Sequence, residues 1–268
     1  AHNVNPEIAR AGATFYPSIG RLDPGEIVSH FANEARAGGV DIRTGVEVTD
    51  VLTEDGAVVG LETTEETVET DVLVNAAGPW SPMLNRMAGV SLPLKHTLAP
   101  ISVLDSAENF ELPTVILESG VYFTGERSAK TLAGRAPHES SEGDLDLWEA
   151  AAEFDNPDSM QGMGMGSVDE EHRTIVADVA PRAIPKTAGA EVSNEWQGNR
   201  CLTPDQHPFV GPTEWDGFYM LAAMCGEGIT LAPACAELLA EHLVTGETSD
   251  ELAYFSPRRA VGERSSGE

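Results

Sequence analysis

A chain of 268 residues with 41% apolar side chains can bury a real core, either as one large domain or as two interleaved ones. Its 44 acidic residues stand against 16 basic ones, a formal charge of −28, and lysine is confined to Lys95, Lys130 and Lys186. So acidic a surface excludes nucleic acid or anionic lipid held by charge. No apolar run approaches the ~20 residues that span a bilayer, and the first residues lack a signal-peptide layout, which points to a soluble cytoplasmic protein. Cys201, Cys225 and Cys235 are odd in number and lack C-x-x-C spacing, so neither a disulfide framework nor a metal site is expected. Acid excess joined to lysine depletion points further to a halophilic, high-salt setting, where a screening length of ~3 Å quiets self-repulsion.

In chain order, Asp23-Pro24 reads as an N-cap followed by proline at the first helical position. Ile27, Phe31 and Ala35 then recur at helical spacing until Gly38-Gly39 ends the helix. Residues 46–54 alternate like a half-buried strand, and Asp55-Gly56 predicts a hairpin into residues 57–64. A strand from Asp71 to Asn75 delivers the chain to the small-residue run Ala76-Ala77-Gly78. Residues 92–134 read as several strands with no helix between them, which suits an inserted antiparallel sheet. Pro137 to Asp169 is polar, with one short amphipathic stretch, and reads as a variable excursion. A long helix is expected from about Gly228 to Leu243, followed by a loosely held tail. The fold class is α/β (α+β): a partial nucleotide-binding domain over 1–91, a substrate domain over 92–198, the return of the first domain over 199–248, and a tail over 249–268.

Chemistry concentrates between Trp196 and Pro233. One arginine, Arg200, a turn-rich crossing and a glycine-flanked helix start lie within about forty residues, the means by which a protein holds an anion and a polar cofactor. By residue type alone Arg200 could equally be a surface ion-pair partner, and Gly226 and Gly228 could serve only a tight turn. The glycines between Gly162 and Gly166 follow no strand and precede no Lys-Ser/Thr, so a flexible linker is the better reading. No H-E-x-x-H or G-x-S-x-G is present, which removes hydrolase readings.

Five segments, GATFYPSIGRLDP, DVLVNAAGPWS, VYFTGERSAKTLAG, EWQGNRCLTPDQHPFVG and MCGEGITLAPA, occur in this order. Together they resemble the flavin-dependent amine and amino-acid oxidoreductases of the D-amino-acid oxidase superfamily, in particular the branch of glycine and sarcosine oxidases and dehydrogenases. The resemblance covers nearly all of residues 11–246. It implies FAD as cofactor and a small amino acid or amine as substrate. It also implies catalytic roles for Arg200, gripping the substrate carboxylate, and for Tyr122, facing the substrate. The flavin ring would be wrapped by Met224, Cys225, Gly226, Glu227, Gly228, Ile229 and Thr230, and the dinucleotide part would be approached by Ala76, Ala77 and Gly78. Val48 would make a backbone contact at the adenine end, while Trp80 is expected to plug a core. Glu227 departs from the neutral residue common at its place, so its side chain is expected to turn away from the flavin. Sarcosine-type oxidases carry a lysine over the flavin where this chain has Leu132, which favours a dehydrogenase. The strand, G-x-G-x-x-G and helix that grip the pyrophosphate in such proteins have no counterpart here. The expectation is that a preceding segment or a partner chain supplies them, and that this chain alone binds FAD weakly or not at all. A non-catalytic, partner-dependent subunit and a hydroxy-acid dehydrogenase are the alternative readings.

Overall fold

The computed structural model describes residues 4–6, 12–18, 20–126, 128–135 and 168–260. These form helix α1 (Pro24–Ala37), strands β1 (Val48–Glu54), β2 (Ala57–Thr63), β3 (Thr67–Glu69) and β4 (Leu73–Asn75), and helix α2 (Ser81–Met87). Strands β5 (Lys95–Asp105), β6 (Val115–Ile116), β7 (Val121–Gly125) and β8 (Lys130–Arg135) follow, then helix α3 (Glu170–Ala183). Strands β9 (Glu191–Leu202), β10 (Phe209–Pro212) and β11 (Phe218–Ala222) and helices α4 (Gly228–Thr245) and α5 (Asp250–Phe255) complete the set. The glycine run 162–166 and nearly all of the predicted excursion lie outside the described residues. The chain divides into two compact units, Ala1–Thr14 with Lys95–Cys201, and Phe15–Leu94 with Leu202–Glu268.

The first unit is a five-stranded sheet in the order β6-β7-β8-β5-β9, antiparallel at the β6/β7, β7/β8 and β8/β5 pairs. Strand side chains alternate faces, and the two faces fare differently. Leu104, Val121, Phe123 and Ala133 pack with Val176, Ala180, Ala183 and Ile184 of the α3 region into one apolar core. Tyr122 and Thr124, the alternate residues of β7, stay partly exposed on the other face. Helix α3 is not among the predicted elements. Its start is nonetheless marked by Asp169, whose carboxylate accepts the His172 amide at 2.7 Å, and by Glu170 and Glu171 in the first turn. His172 is only 1% exposed, and neither ring nitrogen has a hydrogen-bond partner among the described residues. Burial therefore lowers its pKa. Asp169 and Glu195 oppose that shift, and Arg135 and Arg173 add to it.

The second unit carries two small sheets. The meander β1-β2-β3 turns at Asp55 (φ 50°) and Gly56 (φ 84°), both left-handed as a two-residue hairpin requires. The other sheet, β10-β11-β4, pairs β11 antiparallel to β10 and parallel to β4. Val210 of β10 packs with Cys235 and Leu239 of α4 and Leu252 of α5. The tail, expected to be loose, is folded up to Ala260: Ser249 caps α5, and Leu252 is 1% exposed. Helix α1 begins as predicted, with Asp23 accepting the Glu26 amide at 2.9 Å and Pro24 at the first turn. It contains no buried residue, and Phe31 is 49% exposed. Among the described residues no helix is long and apolar enough to cross a membrane, and no cluster could hold a metal ion.

Candidate active site

The first unit brings Tyr122 and Arg200 together on the face of its sheet opposite the α3 core. Tyr122 sits on β7 and Arg200 near the end of β9, with β8 and β5 between them. At ~4.8 Å per strand the two backbones stand about 14 Å apart, so only long side chains reaching inward can meet. They come within electrostatic reach: burial raises the Tyr122 phenol pKa, and the neighbouring Arg200 guanidinium opposes this. A fixed cation beside a hydroxyl, on a face that also carries Thr124, Leu132 and Gly134, is suited to a carboxylate. The guanidinium fork takes two oxygens, and it keeps its charge when half-buried.

The second unit supplies backbone where the first supplies side chains. Because β4 and β11 are parallel neighbours, the loops leaving their C-terminal ends emerge side by side, where open α/β sheets bind ligands. After β4, the fully buried Asn75 organises residues 76–81. Its Nδ2 donates to the Ser81 carbonyl and to Asn85 Oδ1, each at 2.9 Å, and its Oδ1 accepts the Ala77 amide at 3.2 Å. After β11, the chain turns through Ala223 (φ 58°), Cys225 (φ 51°) and Gly226 (φ 94°) into α4. Two non-glycine residues held left-handed cost about 1–2 kcal/mol each, so this turn is imposed by its surroundings. The Cys225 thiol donates to the Ala223 carbonyl at 3.1 Å and lies 3.5 Å from Thr203 Oγ1. Burial raises its pKa, which keeps it a protonated thiol.

Thr203 in turn belongs to a fastened turn. Its Oγ1 is 2.7 Å from the His207 carbonyl and 3.0 Å from Asp205 Oδ1. Arg259 grips Asp205 with both arms, at 2.7 Å and 3.0 Å, and its guanidinium lies 4.6 Å from the Phe209 ring centre. Burial pushes the Asp205 carboxyl up, but Arg259, the His207 amide and the Thr203 hydroxyl outweigh it and hold the group well below the ordinary carboxylate range.

The predicted flavin-contacting residues thus split by kind. Ala76 and Ala77 lead from β4 into the short helical turn Gly78–Trp80, and Met224 to Glu227 lead into α4, whose first residues are Gly228, Ile229 and Thr230. The first amides of α4, at Gly228 and Ile229, are those a helix leaves without an internal acceptor. A methyl carbon on Gly78 would meet nothing within 4 Å, and one on Gly228 only Met224 Cβ at 3.8 Å, so the backbone is open on both loops. Open amides at the positive end of a helix fit the electron-accepting edge of a flat, polar ring such as that of FAD. Glu227 is exposed and makes no capping bond with its side chain. Val48 opens β1 in the meander, opposite Thr63, a different sheet from the one that carries the loops. Trp80 does not plug a core: it is 54% exposed, because the short helical turn Gly78–Trp80 buries none of its residues. Asn75, Thr203 and Arg259 were not predicted. Their role is to hold backbone, which residue type alone does not announce.

A family model described as FAD dependent oxidoreductase (DAO) matches residues 1–242. Glycine oxidase of Pseudomonas putida is 25% identical over 224 residues, covering 83% of this chain and 55% of that protein. The mitochondrial sarcosine dehydrogenase of Homo sapiens is 25% identical over 258 residues, covering 92% of this chain and 27% of that protein. Among solved structures, L-proline dehydrogenase from P. horikoshii has the same fold, with a TM-score of 0.75 at 23% identity over 91% of this chain and 61% of that one. The chain therefore spans about half the length of the first relative and about a quarter of the second.

Proposed function

The chain belongs to the DAO family of FAD dependent oxidoreductases, and from that premise we propose that it grips the substrate and cradles the flavin ring in an enzyme oxidising a small amino acid or secondary amine. The first unit serves as the substrate domain and the second as the ring-side part of the cofactor domain. The observation that carries this reading is the Tyr122–Arg200 pair on the sheet face opposite the α3 core. Arg200 takes the substrate carboxylate on its planar fork and thereby orients the carbon next to the nitrogen. Tyr122 keeps the guanidinium turned to that face and offers its own proton to the carboxylate. FAD, when bound, supplies the acceptor for the hydride leaving that carbon, and the resulting imine hydrolyses in water. The amides of Gly228 and Ile229, fixed at the head of α4, would hold the electron-accepting edge of the ring.

Leu132 occupies the strand position where the sarcosine-type oxidases carry lysine, and the nearest lysine, Lys130, is engaged by Asp105 at 3.2 Å. This favours electron delivery to a carrier over direct reaction with oxygen. A screen of glycine, sarcosine, glycolate and methylamine tests the reading in the flavin-loaded assembly. Turnover of the amino acids, lost with methylamine and in Arg200→Ala, supports it. Preference for glycolate turns the assignment to a hydroxy-acid dehydrogenase, and indifference to the carboxylate rejects it.

The grip on the nucleotide end of FAD is assigned to a preceding segment or a partner chain. In support, α1 presents Val28 and Phe31 to solvent and buries no residue. Purification of residues 1–268 alone and with the neighbouring coding sequence co-expressed decides the matter. A yellow, stoichiometric flavin complex of the chain alone rejects it. The charge of −28 supports a high-salt cytoplasm as the working environment, and an unfolding midpoint that fails to rise with molar salt refutes that assignment.

A further inference from the structure

Gly134 stands between the two members of the clamp. It is paired with Tyr122 of β7 on one side and with Ile101 of β5 on the other. A methyl carbon built on Gly134 would overlap the Cζ and Oη atoms of Tyr122 and would lie 2.8 Å from Ile101 Cδ1. Carbon atoms in contact rest at about 3.5–4.0 Å, so neither neighbour could stay where it is. The overlap also locates the phenol. Its outer end lies directly over the backbone of β8, the strand it must cross to approach Arg200 on β9.

We propose that Gly134 is a positioning residue: by lacking a side chain it leaves the channel across β8 through which Tyr122 reaches the Arg200 guanidinium. Any larger residue at 134 lifts the phenol off the strand and separates the pair, with Arg200 itself left in place. This rests on reading Tyr122 and Arg200 as the carboxylate clamp, but the geometry it asserts can be tested without substrate. Gly134 carries no functional group, and its position near the end of β8 gives no hint of the role. The register that sets it against Tyr122 is what does.

The test is an ultraviolet titration of tyrosinate in the parent chain, Gly134→Ala, Arg200→Leu and their double variant, with Tyr122→Phe isolating the Tyr122 contribution. Arg200 favours the ionised phenol, so its removal moves the Tyr122 titration to higher pH. Lifting the phenol also relieves its burial, so the readout is the response to Arg200: in the Gly134→Ala background, Arg200→Leu is expected to leave the Tyr122 titration unmoved. A shift on adding Arg200→Leu to folded Gly134→Ala as large as in the parent overturns the proposal. If Gly134→Ala folds poorly, adding Tyr122→Ser is expected to recover part of the lost melting temperature, with Ile101 left to give way; no recovery at all rejects the assigned overlap. The titration uses no substrate. A failed clamp reading would instead show as carboxylate preference surviving in Arg200→Ala, so the two failures are distinguishable.

Discussion

The proposed carboxylate clamp and the proposed flavin cradle would hold a polar partner in opposite ways. The clamp uses two side chains projected from a sheet whose far side is anchored by a packed core, so its chemistry is that of a guanidinium and a phenol. The cradle uses backbone: amides at the head of α4 and open glycines on two loops, held by Asn75 and by a turn with two left-handed non-glycine residues. A side-chain site is damaged by removing functional groups, whereas a backbone site is damaged by changing allowed dihedral angles. The two should therefore respond to substitution in contrasting ways.

The largest effect is expected beneath the clamp. Phe123, wholly buried on the α3 side of β7, should cost about 3–5 kcal/mol of unfolding free energy when cut to alanine. Denaturant melts would read the loss, and the clamp should fail with the sheet. Arg200→Ala should cost about 2–3 kcal/mol in transition-state binding, roughly 30- to 150-fold in kcat/KM for carboxylated substrates, with the melting temperature unmoved. A fall in stability of similar size would mean that Arg200 is a structural ion-pair partner. In the cradle, Gly226→Ala at φ 94° should cost about 1–2 kcal/mol of stability and weaken FAD binding, both measurable by flavin-fluorescence titration and thermal melts. The smallest effect should come from Glu227→Ala, an exposed side chain in the middle of the same loop, within about 0.5 kcal/mol in either readout. If removing Glu227 matters more than adding a methyl group at Gly226, the cradle acts through side chains after all and the contrast collapses.

What could be read from the chain follows the same division. The α1 start at Asp23-Pro24 and the Asp55-Gly56 hairpin depend on local chemistry, and both form where their residues predict. Arg200 and Tyr122 stand out by residue type within a recognisable pattern, and the sheet brings them together. Helix α3 goes unpredicted although Asp169-Glu170-Glu171 marks its start, because its buried stripe opens on His172 and Pro181 lies inside it. Trp80 is a large aromatic in an apolar neighbourhood of sequence, yet burial is a tertiary property and it faces solvent. The Gly134 channel was not legible at all, since it depends on which residue of β7 lies opposite which residue of β8.

The fastening of Asp205 by Arg259 has a practical side. Arg259 also reaches the carbonyls of Phe255, Ser256 and His207, so the short run after α5 behaves as a buckle closed over the turn that touches Cys225. Trimming an expression clone back to the end of α4 would cut the strap and slacken the turn at Cys225 from behind, at a distance in sequence of more than thirty residues.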